Sequence, residues 1–404
     1  MSERTTCLVA GGGPAGMVLG LLLARAGIEV TVLEKHADFL RDFRGDTVHP
    51  STLQLLDELG LGEEFGKLPQ SRLDAVSLPG PPALTIADFR TLKVAHPYVA
   101  MVPQWDLLDL LADAGQAEPA FHLRMNTEVV SLIREAGRVA GVRYRTADGT
   151  TGEIRAEVTI GCDGRWSVVR REAGLRPREF PVPVDTWWFR LPRYDHDEAQ
   201  LTPSMHHGHF AVVIPRESYF QVAYLAAKGL DARLRADGVA AFRDRIRTVL
   251  PQLADRVGAI TSMDEVKHLD VRLNLVPRWH REGVLCIGDA AHAMSPVGGF
   301  GINLAVQDAV ATARLLAGPL RRGRVSGRDL ARVRRRRVAP TVLVQAIQRA
   351  MHRVVIRPVI EGRRNGPPRA LVAMMNAVPA ARLIPAYLAG VGLLPEHAPD
   401  WARR

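Results

Sequence analysis

Apolar residues occur in short blocks whose spacing alternates between strand-like and helical periods, and each change of period marks an element. The run over 6–10 reads as a buried strand. Apolar residues fill 14–26, with Pro14 in the first turn, where a missing N–H costs nothing, and Gly27 behind the last turn. This is a helix. A β-branched run over 28–33 completes a strand–helix–strand unit. The spacing predicts helices over 51–59, with Ser51 as N-cap and Gly60 as stop, and over 104–114. Residues 76–94 read as strands joined by Pro-rich turns, 128–144 as a hairpin about Gly137, and 154–160 as a buried strand. From 177 to 228 aromatic and β-branched residues alternate with polar ones, and a helix follows over 239–250. A last buried strand at 284–287 leads through a Gly-rich loop into a helix over 302–316. The remainder reads as helical, first basic and then apolar.

Strand–helix–strand material therefore lies at the start, the middle and the later third, with a β-rich block between. That order implies a nucleotide-binding domain assembled from 1–70, 98–176 and 276–340. A β-rich substrate domain takes 71–97 and 177–275, and a helical C-terminal region takes 341–404. At 404 residues the chain has room for two or three domains of about 150 residues. Its 47% hydrophobic and 24% charged residues exclude a disordered chain, a collagen-like repeat and a coiled coil.

The net charge of +10 raises the question of an anionic partner, but its distribution is uneven. Residues 321–369 hold 15 Arg and 2 acidic residues, and the sharpest run spans 332–337. This reads as a solvated helix face rather than a nucleic-acid surface. The three cysteines, Cys7, Cys162 and Cys286, each adjoin an apolar strand, which points to reduced, buried thiols and a cytoplasmic setting. The apolar run over 14–26 is too short to span a bilayer, and that over 370–394 is broken by Pro379, Arg382, Pro385, Gly390 and Gly392. No integral membrane segment is expected. Peripheral membrane contact, and the choice between monomer and homodimer, stay open.

Three motifs carry the chemistry. Gly11, Gly13 and Gly16, with Pro14 and Ala15 between them, form G-x-G-x-x-G after a strand and at the start of a helix. The glycines permit a tight turn, close approach of a pyrophosphate, and packing of helix on sheet. The helix N-terminus offers free N–H groups and partial positive charge to phosphates. Glu34, followed by Lys35, ends the second strand 18 residues after Gly16, where a carboxylate can accept from an adenosine ribose. The second motif, Asp163-Gly164-Arg165, follows the strand at 154–160. The third, Gly288-Asp289, follows the strand at 284–287 and precedes Pro296, Gly299, Gly301, Ile302 and Asn303. An Asp just past a strand end sits where ligands of such sheets bind, and the Gly-rich helix start aims N–H groups at the negative charge of a reduced flavin.

In order and spacing these motifs resemble the FAD-dependent aromatic hydroxylase family typified by para-hydroxybenzoate hydroxylase, over roughly residues 5–320. The ending Gly-Leu-Leu-Pro-Glu-His at 392–397 resembles some members as well. The resemblance implies an α/β fold: a Rossmann-like FAD-binding domain of glutathione-reductase type, an inserted β-sheet substrate domain, and a helical C-terminal region. It implies tightly bound, non-covalent FAD, with NADPH or NADH as transient reductant and O2 as co-substrate. Carried over, Glu34 binds the adenosine ribose, Arg44 lies by the flavin, and Gln104 contacts the ribityl–pyrophosphate region. Asp163 helps hold the cofactor and reductant region, Asp289 binds the ribityl chain, and 299–303 the ring. The chain departs from the pattern at Phe300, where many members carry Gln or Lys; an aromatic there leaves an apolar flavin edge. No second G-x-G-x-x-G unit follows, as in that family, whose nicotinamide cofactor binds without a Rossmann domain of its own.

The implied cycle runs from NAD(P)H through reduced flavin and a C4a-hydroperoxide to an electron-rich carbon of the substrate, with water excluded. The candidates for catalysis are His49 and Arg44. His206, His207 and His209 read as a polar loop rather than a metal site, and His292 as a structural residue beside the cofactor. Trp188, Phe210, Phe220 and Phe300 are the candidates for an apolar pocket, in a segment also holding Trp187, Phe189, Tyr219 and Tyr224. Trp166 reads as packing. The function expected is hydroxylation or epoxidation of an apolar, aromatic or polyketide-like small molecule. The alternatives are a geranylgeranyl reductase-like enzyme on the same fold and a non-catalytic flavin-binding protein. A halogenase is disfavoured for want of a Trp-x-Trp-x-Ile segment and a catalytic Lys.

Overall fold

The computed structural model describes residues 3–40, 47–78, 84–197, 201–206 and 208–404. The apolar blocks become the centre of a mixed sheet. In spatial order its strands are His280–Arg281, Val284–Cys286, Thr151–Gly161, Glu3–Ala10, Val30–Leu33 and Phe121–Arg124. All but the first run parallel. Strands covered on both faces need no alternation, and residues 7–10 and 30–33 are buried throughout. The hairpin of Thr127–Glu135 and Arg138–Thr146 pairs antiparallel with the first half of Thr151–Gly161. The helix Pro14–Arg25 packs against the helices Gln104–Gln116 and Phe300–Arg321. Because the parallel strands share a direction, the turns that follow them, at 11–13, 34–36, 162–167 and 287–299, collect along one edge.

The aromatic segment forms a second, antiparallel sheet in the order Thr202–His206, His209–Pro215, Tyr219–Ala227, Val184–Pro192, Lys267–Leu269. The period of two sends neighbours to opposite faces. Trp187, Phe189, Phe220, Val222 and Tyr224 pack against Phe242 and Ile246 of the helix Asp231–Val249. That helix begins eight residues before the expected start, because a kink at Gly238, φ +81°, joins two shorter helical stretches. Trp188, Val212 and Ile214 face the other way, towards Met294, Phe300 and Leu304 of the first unit. The strand Ser71–Leu73 pairs with Val99–Met101, which also pairs with Thr47–Val48, so the chain between the two sheets is itself hydrogen-bonded across the expected boundary.

The helix Gly327–Met351 runs through position 340 without a break, past Pro340. It corrects the reading of the Arg run as solvated. One face of this helix packs on Phe300–Arg321, and Arg337 lies on that face. Arg337 is buried, with Nε 3.0 Å from Oδ1 of Asp308, and Arg336 meets buried Glu396 at 2.6 Å. Arg332 and Arg335 are exposed as expected. Ser51 also departs from expectation. The helix Pro50–Glu58 starts one residue earlier, after His49, and the Ser51 hydroxyl donates to Asn303 instead of capping. Among the described residues no helix is long and apolar enough to cross a membrane.

Candidate active site

The dinucleotide turn is built by what it cannot accommodate. Gly11 has φ +104°, and a Cβ there would lie 2.5 Å from the carbonyl oxygen of Cys162. A Cβ on Gly16 would lie 2.0 Å from the carbonyl oxygen of Gly11. A Cβ on Gly13 would meet nothing within 4 Å, so this glycine borders open space. The helix Pro14–Arg25 begins there with no side chain capping its free N–H groups. An uncapped N-terminus beside open space suits a pyrophosphate. Glu34 is buried, and its two carboxylate oxygens accept from the N–H groups of Gly12 (2.9 Å) and His36 (3.0 Å). The carboxylate expected at the ribose thus also shapes the turn.

The two aspartate loops are tied to each other. Asp163 accepts from the Ser167 hydroxyl (2.5 Å) and the Val169 N–H (3.0 Å), so it organises the loop leading into Val168–Glu172. Burial pushes its carboxyl above the ordinary value, against those two hydrogen bonds. Arg170 donates to the carbonyl oxygens of Ala290 and Arg165, and Arg165 approaches Asp289 at 3.5 Å. Asp289 remains partly exposed at the sheet edge. Gly288 packs between Ala15 and Ala305, which joins the N-terminal ends of the two long helices at one place.

The second helix start resembles the first. Gly299 adopts φ +68° and precedes Phe300–Arg321 with no side-chain cap. Its carbonyl accepts from the Thr47 hydroxyl (3.1 Å) and faces Nε2 of His49 at 3.0 Å. His49 Nδ1 lies 2.7 Å from the carbonyl of Ala389 in the C-terminal helix Leu383–Gly390. A neutral ring donates to one of these carbonyls and a charged ring to both. Burial lowers the His49 pKa, opposed by the two carbonyls. Asn303 accepts through Oδ1 from Ser51 (2.9 Å) and Thr52 (2.7 Å), which fixes its amide. His292 donates through Nε2 to Asp308 (2.6 Å), and Asp308 also accepts from the Gly288 N–H and from Arg337. Burial raises the Asp308 pKa, but His292 and Arg337 outweigh it and hold the carboxyl below its ordinary value.

Two glycine-flanked helix starts, each uncapped, lie with two aspartate turns on one sheet edge. These residues fit FAD: open space for phosphates at Gly13 and main-chain donors for a ring at 299–303. A profile of the family described as the FAD binding domain matches residues 4–346. The 6-methylpretetramide 4-monooxygenase of Streptomyces rimosus is 34% identical over 390 residues, covering 94% of this chain and 91% of that protein.

The chain belongs to the FAD-dependent aromatic hydroxylase family.

It is therefore an FAD-dependent monooxygenase. A second Streptomyces rimosus relative, 12-dehydrotetracycline 5-monooxygenase/anhydrotetracycline 6-monooxygenase, is 32% identical over 76% of this chain, which spans 61% of that protein. The fold is shared with p-nitrophenol 4-monooxygenase of Pseudomonas putida, at TM-score 0.77 and 20% identity over 97% of this chain and 99% of that one. A probable FAD-dependent monooxygenase of Pseudomonas aeruginosa shares it too, at 0.74 and 21% over 92% and 100%.

Within this monooxygenase the other expected site residues separate. Gly11, Gly13, Pro14, Ala15, Gly16, Glu34, Asp163, Gly288, Asp289, Gly299, Gly301, Ile302 and Asn303 lie along the sheet edge or at the helix starts beside it. Gln104 opens the helix Gln104–Gln116, and Lys35 is exposed after Glu34. Arg44 lies outside the described residues, as does His207. Phe300 stacks on His49 at 6.3 Å and packs with Met294 and Ala389. Trp188 is on the sheet face towards that loop, and Phe210 packs with Val184 and Leu225 near it. Phe220 does not join them. Its place in the alternation puts it on the opposite face, against the helix Asp231–Val249, which corrects its reading as a pocket residue. His209 bonds Tyr224 at 2.7 Å. Trp166 is 58% exposed with the Arg272 guanidinium 4.0 Å over its ring, so it does not pack inward. Asp308 was missed. The signal was a lone carboxylate in the otherwise apolar helix pattern over 302–316.

Proposed function

We propose that the protein is an NAD(P)H- and O2-dependent monooxygenase that hydroxylates or epoxidises an apolar, aromatic or polyketide-like small molecule. One observation carries this reading. Met294 and Phe300 of the Gly-rich loop belong to the same apolar cluster as Ile214, Leu273 and half-buried Trp188 of the second unit. The ring-binding loop thus abuts a surface suited to a flat, apolar substrate. The names of the two Streptomyces rimosus relatives support the polyketide class.

In this reading FAD is bound tightly and without a covalent link. Gly11, Gly13 and the helix start at Pro14, Ala15 and Gly16 take its pyrophosphate, and Glu34 with Lys35 the adenosine ribose. Gln104 and Asp289 hold the ribityl side, Asp163 shapes the loop beside it, and 299–303, entered through Pro296, face the ring. When bound, FAD supplies two-electron chemistry with NAD(P)H and activation of O2. The chain's own part is orientation and dryness. Phe300, Met294, Ala386 and Ala389 are buried around the loop and keep water from the reacting atoms. His49 acts as a tie and not as a base, since both its ring nitrogens face main-chain carbonyls. Trp188 and Phe210 line the substrate side. The presence of two separate sheets supports reading the chain as an FAD-binding unit and an inserted substrate unit. Three unpaired thiols, with burial holding Cys7 up at about 12, support a reducing, cytoplasmic setting.

The test is NAD(P)H oxidation by the FAD-loaded protein with a panel of polycyclic phenols. A several-fold rise in rate with formation of an oxygenated product supports the proposal. Reduction of the added compound without O2 uptake would replace it by the reductase reading.

A further inference from the structure

Residues 293–298 lead into the ring-facing helix start. Ala293 is held by Asn274 of the strand Leu273–Leu275, whose N–H donates to the Ala293 carbonyl (3.1 Å) and whose Oδ1 accepts from the Ala293 N–H (3.1 Å), but Ser295 and Val297 take no strand partner among the described residues. Buried main-chain N–H and C=O groups need partners. Here they come from the helix Gly327–Met351 and the wide π-type turn, His352–Ile356, that extends it. Gln345, Gln348 and His352 are spaced three and four apart, so they share one helix face. All three are buried. Gln345 donates to the carbonyl oxygens of Asn274 (2.7 Å) and Ala293 (3.4 Å). Gln348 donates to the carbonyls of Ser295 (2.7 Å) and Val297 (2.8 Å), and its Oε1 accepts from the Ser295 N–H (3.2 Å). Its amide therefore pairs with Ser295 on both sides, as a residue of an adjacent strand would. His352 Nε2 lies 2.9 Å from the Ser295 hydroxyl, which accepts in turn from the Val297 N–H (3.3 Å). Burial lowers the His352 pKa to about 4, so the ring is neutral at ordinary pH.

We propose that Gln348, supported by Gln345 and His352, is the positioning group that holds the loop over 293–298 in register and so aims the N-terminus of Phe300–Arg321 at the flavin ring. The inference rests on the FAD reading above and adds a role for a helix whose sequence reads only as a basic surface. The Gln348 amide holds both the N–H and the C=O of Ser295, four residues before the helix entry at Gly299. Loss of those bonds frees the Ser295 and Val297 peptides to turn. The helix N–H groups then meet the charge of the reduced ring less well, and the reduced form loses more binding than the oxidised one.

The experiment titrates purified apoprotein with FAD and measures the reduction potential of the bound flavin. It compares wild type, Gln348→Met, Ser295→Ala and Arg335→Ala. Gln348→Met keeps nearly the same volume and removes all three hydrogen bonds. The proposal expects FAD to bind Gln348→Met at least tenfold more weakly. It also expects the reduced form to be disfavoured by a further tenfold, a fall of about 30 mV for a two-electron couple. Ser295→Ala, which loses only the hydroxyl contacts, shifts both values in the same direction by less. It stands as the test should Gln348→Met not fold. Arg335→Ala, on the exposed face of the same helix, changes neither. Variants that melt earlier but bind FAD with wild-type affinity and potential would overturn the proposal and leave these residues as scaffold alone. Failure of wild type to bind FAD would instead overturn the underlying cofactor reading.

Discussion

Gly13 and Gly16 belong to one motif but serve different ends. Gly16 is confined by the Gly11 carbonyl, whereas Gly13 faces open space at φ −77°, a value any residue adopts. Gly16→Ala is expected to cost about 1–3 kcal/mol of stability through overpacking. Gly13→Ala should leave the melting temperature near wild type while weakening FAD at least tenfold, because its methyl occupies the phosphate space. Thermal unfolding of apoprotein together with FAD titration separates the two. Asp289 allows a parallel test. Its contact with Arg165 is long and partly exposed, worth less than about 1 kcal/mol to the fold. Asp289→Ala should therefore cut flavin content of the purified protein without a measurable loss of stability; full flavin content in that variant would remove Asp289 from the site. At this scale the sequence was legible where backbone geometry demands a residue type, as at Gly11, Gly16 and Gly299. It was illegible where a partner comes from far along the chain. The carbonyl facing His49 Nδ1 belongs to Ala389, 340 residues away.

Helices and strands were legible where one period dominated, as in Pro14–Arg25 and Thr151–Gly161. Which face met which neighbour was not. A shift of one position moves a side chain to the other side of a sheet, and this separates Trp188, facing the loop, from Phe220, which looked equivalent in sequence. The basic helix shows the same limit. Its Arg run is solvated on one face and buried on the other, where Arg337 and His292 share Asp308. A buried pair that loses one partner leaves an uncompensated charge. Asp308→Asn is expected to destabilise the protein by about 3–5 kcal/mol, read from chemical denaturation. A loss below about 1 kcal/mol would show that the network is not coupled to folding. Neighbouring Glu396, in the 392–397 segment, is buried and meets Arg314 of Phe300–Arg321 and Arg336 of Gly327–Met351, so this segment is pinned to both helices.

Across the whole molecule one apolar cluster joins the second sheet to the Gly-rich loop, the helix Phe300–Arg321 and the C-terminal helix, and histidines sit in the joints around it. His49 links the Gly-rich loop to the C-terminal helix, and His352 links that loop to the long basic helix. Burial lowers both pKa values below the ordinary 6.5, to about 4 for His352. Between those values the unfolded chain binds more protons than the folded one, so stability falls as pH falls. The melting temperature should hold above pH 6.5 and decline towards pH 4, and replacing His352 by Gln should flatten part of that decline. A profile unchanged by this replacement would show that His352 titrates normally in the fold. The fold class and the cofactor were legible in three motifs because phosphate and flavin binding restrict the backbone. The substrate was not, because the apolar residues proposed to face it, at 214, 273, 294 and 300, come from separate parts of the chain and leave no local pattern.

The most direct test of the central claim is a turnover under 18O2 with FAD-loaded protein, NAD(P)H and a polycyclic phenolic substrate from the panel. One 18O atom is expected in the product, and none when the label is in water. A product carrying oxygen from water, or one reduced with no oxygen gained, would contradict the claim.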